Sequence, residues 1–124
     1  MTPQQELDLC KAGIAAWQNA FNNQDARGCA EQYATTCTML ARPIGEFNSR
    51  EDIETFWRGI IEQGFCDVTY TDVAWEKHPE AGYLLSANWT MNKAFGKIHG
   101  EHWVVEQDGK ARLHSDDFEI LGER

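Results

Sequence analysis

The chain has no cluster of lysine or arginine, no apolar run of membrane-spanning length and no C-x-x-C pair. Each absence removes a class of function. Nucleic acid is held through its phosphates by a basic face, and 11 Lys and Arg against 20 Asp and Glu, a net charge of −9, supply none. The same acidity argues against an anionic membrane surface, and no segment is long and apolar enough to read as a transmembrane helix. The four cysteines, Cys10, Cys29, Cys37 and Cys66, lack zinc-finger spacing and a partner histidine. They read as reduced, mostly buried thiols of a cytoplasmic protein, with one disulfide in a secreted protein as the alternative. Met1 to Asp8 is polar and does not read as a signal peptide. No repeat, linker or low-complexity stretch divides the chain, and 124 residues suit one domain, 1–124, with a single core.

The sequence does contain clear punctuation. Thr2, Pro3 and Gln5 form a capping box ahead of a stripe of Leu7, Cys10, Ile14, Trp17 and Phe21, which predicts a first helix. Asn22-Asn23-Gln24 ends it, and Asp25 caps a shorter second helix with Cys29, Ala30 and Tyr33 inward. Cys37 to Arg42 and Gly45 to Phe47 read as short strands around Pro43. Ser49 and Asp52 open a third helix with Ile53, Phe56, Trp57, Ile60 and Ile61 on its buried face, and Gly64 closes it. From Cys66 the periodicity becomes two, and four strands are expected: Asp67–Glu76, a strand from Tyr83, Ile98–Gln107 and Lys110–Leu121.

Two turns set the expected register. Ala94-Phe95-Gly96 as a three-residue loop pairs Lys93 with Lys97 and places Trp89 opposite Glu101. Asp108-Gly109 as a two-residue type I′ loop pairs Gln107 with Lys110. Counting back, Trp103 meets His114, Glu101 meets Asp116 and His99 meets Phe118, all on one face. Trp89 and Met91 join them there. The other face carries His102, Val104, Leu113 and Ser115, a mixed surface suited to a homodimer.

Facing carboxylates among aromatic residues are a liability unless they are well solvated or one holds a proton. Glu101 and Asp116 are therefore the first candidates for acid/base chemistry, with His114 as a proton shuttle. Solvation at an open rim, or neutralisation by Arg42 and Arg112, is the alternative. Arg42 reads either as that counter-ion or as an anchor for the ligand. Trp17, Trp57, Trp89, Met91, His99, Trp103 and Phe118 read as core or as the wall of a pocket for a partly apolar molecule. His99, Glu101 and His114 follow no recognised metal spacing, and no metal is expected.

The order of elements, with Asn23-Gln24-Asp25 early and Gly45-Glu46-Phe47 ahead of Ser49-Arg50-Glu51-Asp52-Ile53, resembles the nuclear transport factor 2-like superfamily over nearly the whole chain. That group includes SnoaL-like polyketide cyclases, ketosteroid isomerases and scytalone dehydratase. The resemblance implies an α+β, cystatin-like cone, with three N-terminal helices packed in the concave face of a strongly curved, mixed but mainly antiparallel sheet (α-α-β-β-α-β-β-β-β). Glu101-His102-Trp103 stands where the isomerases have an acidic oxyanion-hole residue followed by His and an aromatic. Trp17 and Arg42 stand at their tyrosine and their base, which disfavours steroid isomerisation by that route. His114-Ser115-Asp116 resembles the His-x-Asp of SnoaL-like sequences and points to Asp116. The resemblance implies a cofactor-independent isomerase, cyclase or dehydratase acting next to a carbonyl. The alternative is a non-catalytic dimerising or ligand-sensing module of the same fold.

Overall fold

A computed structural model describes residues 1–124. Helix α1 (Pro3–Asn22) starts on the expected capping box: Gln5 N donates to Thr2 Oγ1 at 3.1 Å, and Thr2 N donates to Gln5 Oε1 at 2.8 Å. Its buried stripe is Cys10, Gly13, Trp17, Ala20 and Phe21. Asp25 accepts from Gly28 N and starts α2 (Ala26–Glu31). Strands β1 (Tyr33–Arg42) and β2 (Gly45–Phe47) form a hairpin, after which Ser49 accepts from Asp52 N and starts α3 (Arg50–Glu62). Gly64, at φ +91°, reverses the chain as only glycine does easily. Strands β3 (Thr69–Lys77), β4 (Tyr83–Thr90), β5 (Ala94–Val105) and β6 (Ala111–Glu123) follow.

The six strands form one sheet in the order β2-β1-β6-β5-β4-β3, with β1 and β6 parallel and every other pair antiparallel. This corrects the expected cone of three N-terminal helices in a strongly curved sheet. Only α1 and α2 precede the first strand, because the helix cap at Ser49 lies beyond the β1–β2 hairpin. The sheet is neither strongly curved nor closed. Closure needs its two outermost strands to pair, and β2 and β3 end the strand order at opposite edges.

One face of the sheet is packed by the helices over a continuous core that includes Trp17, Phe21, Tyr33, Met39, Ile53 and Trp103. Helix α1 approaches Trp103 so closely that a Cβ on Gly13 would lie 2.6 Å from its ring. The Cys10 thiol lies 3.6 Å from the Trp103 carbonyl oxygen and joins the same contact.

The β4–β5 turn is earlier than expected. Met91 N bonds to Ala94 O at 2.8 Å, so Ala94-Phe95-Gly96 is strand and not loop. Asn92 fixes the bend by accepting from Cys66 N at 3.0 Å and donating to Gly64 O at 2.9 Å. The partner of Glu101 on β4 is therefore Leu85, and Trp89 stands opposite Gly96. No helix of the chain is long and apolar enough to cross a membrane.

Candidate active site

The β5–β6 hairpin carries the acidic pair, and two local features set its register. Glu106 N bonds to Lys110 O and Gly109 N to Glu106 O, each at 2.9 Å, so the loop is the three residues Gln107 to Gly109, with Gly109 at φ +83°. This shifts the pairing by one, to Val105↔Ala111 and Trp103↔Leu113. His114 is then an extra residue on β6, a β-bulge, and it shifts the pairing back to His102↔Ser115 and Glu101↔Asp116. Glu101 and Asp116 face each other as expected, but through a different loop.

The bulge removes His114 from the inner face. Its side chain is half-exposed and its Nε2 lies 3.1 Å from Glu106 Oε2, while Leu113 turns into the core instead of the outer face. A second bulge, between Ile98 and Gly100, leaves His99 outside against Glu119 at 2.8 Å and puts Ile98 opposite Phe118. Arg42 also lies away from the pair. It makes a bidentate bond to Asp117, at 2.8 and 3.0 Å, on the exposed side of β1 and β6. Arg112 pairs with Glu106 and Asp108. No cation neutralises Glu101 and Asp116.

Both acids are buried, with exposures of 6% for Glu101 and 3% for Asp116. Tyr33, at the start of β1, donates its hydroxyl hydrogen to Asp116 Oδ2 at 2.7 Å. Trp103 Nε1 donates to Glu101 Oε1 at 3.2 Å. Burial and the neighbouring Asp116 charge push the Glu101 carboxyl well above the usual range, so it holds its proton. Burial also raises Asp116, to about 6, although Glu101 and Tyr33 hold it down by hydrogen bonding to its ionised form. Both carboxyls are thus held above their ordinary ranges, with Glu101 the stronger holder of a proton. Asp116 Oδ1 is buried and has no hydrogen-bond partner.

The acids line a narrow inner chamber of about 30 Å³, together with Trp17, Val68, Tyr70 and Ile98. Trp57, Trp89, Met91 and Phe118 also line it, and these same four side chains line an outer, apolar pocket of about 390 Å³. Trp57 stacks on Phe118 with centroids 5.6 Å apart and meets Trp17 edge-on at 4.9 Å. The indole N–H groups of Trp17, Trp57 and Trp89 are buried and unpartnered. Burying a donor or an acceptor without a partner costs about 1–3 kcal/mol. Asp116 and these three tryptophans all line the inner chamber, so polar groups without partners lie among the side chains that surround it. Trp103 is fully buried and acts as core and as the donor to Glu101.

Two residues of the site were not anticipated in these roles. Tyr33 was expected on the inward face of α2, whereas it opens β1 and reaches Asp116. Arg50 of α3 secures it by donating to its backbone carbonyl at 2.7 Å. Tyr70 lines the inner chamber, and burial together with the charges of Glu101 and Asp116 pushes its hydroxyl well above the usual tyrosine range. The alternation of Val68 and Tyr70 was the available signal for it. Burial pushes the Cys10 thiol up to about 11 and the Cys29 thiol up to about 12, which disfavours the thiolate at both.

No protein-family model and no curated protein matches this sequence. Solved structures do match its fold. A proposed scytalone dehydratase from Novosphingobium aromaticivorans aligns over 96% of this chain and 86% of its own, at 10% identity and a TM-score of 0.80. A proposed dehydratase of the nuclear transport factor 2-like family from Streptomyces avermitilis aligns over 97% and 99%, at 11% identity and 0.79. A ketosteroid isomerase-like protein from Erwinia carotovora atroseptica aligns over 94% and 97%, at 11% identity and 0.78. The chain thus has the nuclear transport factor 2-like, cystatin-like fold.

Proposed function

We propose that this chain binds a small, partly apolar organic molecule and moves a proton next to its carbonyl group, as a cofactor-independent isomerase, cyclase or dehydratase. The observation that carries this reading is the buried Glu101–Asp116 pair, with the unpartnered Asp116 Oδ1, at the inner end of an apolar pocket. Asp116 is the base: its Oδ1 is free, and Tyr33 steadies the anion through Oδ2. Glu101 keeps its proton and donates it, or a hydrogen bond, to the oxygen that gains charge. The unpaired indole N–H groups supply further donors to that oxygen. The fold neighbours described as dehydratases and as ketosteroid isomerase-like support chemistry of this class.

The inner chamber, at about 30 Å³, holds little more than a water molecule. A substrate therefore occupies the outer pocket and reaches Asp116 only when the shared wall yields. Met91, unbranched and flexible, is the side chain best able to move. This small volume also favours a second reading, a non-catalytic ligand-sensing or dimerising module. In that case the exposed Phe95 and Leu121 of the outer sheet face would meet a second copy, which sedimentation equilibrium tests.

Exchange of α-hydrogens for deuterium in a panel of aromatic ketones separates the two readings without knowledge of the substrate. The protein should accelerate exchange at least about 100-fold over buffer for some panel member, and Asp116→Asn should abolish the acceleration. Binding of panel members with no acceleration for any of them would favour the sensing module.

A further inference from the structure

The outer pocket has an apolar body and a charged rim. Lys93 and Arg124 stand together there, joined by the bond from Arg124 N to Lys93 O at 2.9 Å. Each side chain is tethered by a backbone carbonyl instead of a carboxylate. Lys93 Nζ donates to Gln63 O at 2.8 Å, and Arg124 donates to Met91 O at 2.8 Å. Neither takes part in any of the chain's ion pairs. Lys93 sits in a fitted seat: its ammonium lies 5.6 Å from the Phe65 ring centre, and a Cβ on Gly64 would come within 2.8 Å of Nζ. Glu123 also lines the rim and pairs with neither cation, so two cationic side chains stand against one carboxylate side chain there, in a chain of net charge −9.

Resting on the small-molecule reading of this pocket, we infer that its ligand is an amphipathic anion, an apolar or aromatic carboxylate. The anionic group is held at the rim by the Lys93 ammonium and the free N–H groups of Arg124. The apolar body lies between Trp57, Trp89 and Phe118. The orientation follows from charge. The ionised Asp116 repels an anion from the inner end, so the uncharged end of the ligand points inward. A carbonyl at that end would face Glu101 and the spare indole donors. The specificity residues are thus at the mouth and the proton-transferring ones at the floor.

Tryptophan fluorescence titrations with 2-naphthoate and with the neutral 2-naphthamide, at pH 8 and low salt, test this. Naphthoate should bind about tenfold or more tightly than the amide. The preference should shrink as salt is added and collapse to near unity in the double variant Lys93→Gln, Arg124→Gln. Amide affinity should be unchanged in that variant, which also shows that the pocket is intact. Equal affinities in the wild-type chain, or a preference that survives the double substitution, would overturn the anion inference and leave the pocket standing. Failure of both probes to bind would overturn the pocket reading together with it.

Discussion

Tyr33 donates to Asp116 Oδ2 at 2.7 Å across the parallel β1–β6 junction, between residues 83 positions apart in the chain. It stabilises the ionised form of that carboxylate. The midpoint of Asp116 is therefore set by burial pushing it up and by Glu101 and Tyr33 pulling it down.

Tyr33→Phe removes the donor and leaves a buried oxygen unpaired. Hydrogen bonds to charged groups contribute about 1.5–3 kcal/mol, and a loss of that size is expected above the Asp116 midpoint. The loss should shrink at lower pH, where Asp116 is protonated. Chemical denaturation at pH 5 and pH 8 checks both statements; an equal loss at the two values would show that Tyr33 acts only by packing.

The pH dependence of stability has a definite sign. Asp116 is raised from 3.8 to about 6 in the fold, so the folded state binds more protons than the unfolded one between those values. Its protonated form is the favoured one, and unfolding free energy falls as pH rises from about 4 through 6. The linked loss is on the order of 3 kcal/mol by neutral pH. Glu101 extends the same trend to higher pH. Asp116→Asn should flatten the profile between pH 4 and 7 relative to the wild-type chain, measured by urea denaturation across that range.

Gly13→Ala sets two effects against each other. Alanine in a helix interior is favoured over glycine by about 1 kcal/mol. The added Cβ would lie 2.6 Å from the buried Trp103 ring, and overpacking of this kind costs about 1–3 kcal/mol. A net loss of stability is expected, with a displaced Trp103 and a weakened indole bond to Glu101. Thermal denaturation and the indole N–H chemical shift of Trp103 report the two consequences separately.

Local chemistry made much of this fold legible. The caps at Thr2, Asp25 and Ser49 act as their residue types demand, because a cap needs only neighbours three positions away. A two-residue loop predicts the Glu101–Asp116 pairing, whereas the loop has three residues and the His114 bulge restores the count. Bulges answer to long-range packing, here the burial of Leu113 against Trp103, and leave no short-range signature. For that reason His114 and His99 read as inner-face residues and stand outside. Tyr33 reads from the sequence as an inward residue of the second helix, and its bond to Asp116 has no local signal because that partner lies on a strand 83 positions later.

Carbon-13 NMR of the side-chain carboxyls, followed from pH 3 to pH 10, tests the acid/base assignment most directly. Glu101 and Asp116 should titrate as a coupled pair that retains one proton at pH 7, with Asp116 ionising near 6 and Glu101 far above its ordinary range. Ionisation of both carboxyls near pH 4, with none retained at neutrality, would contradict a proton-holding site between β5 and β6.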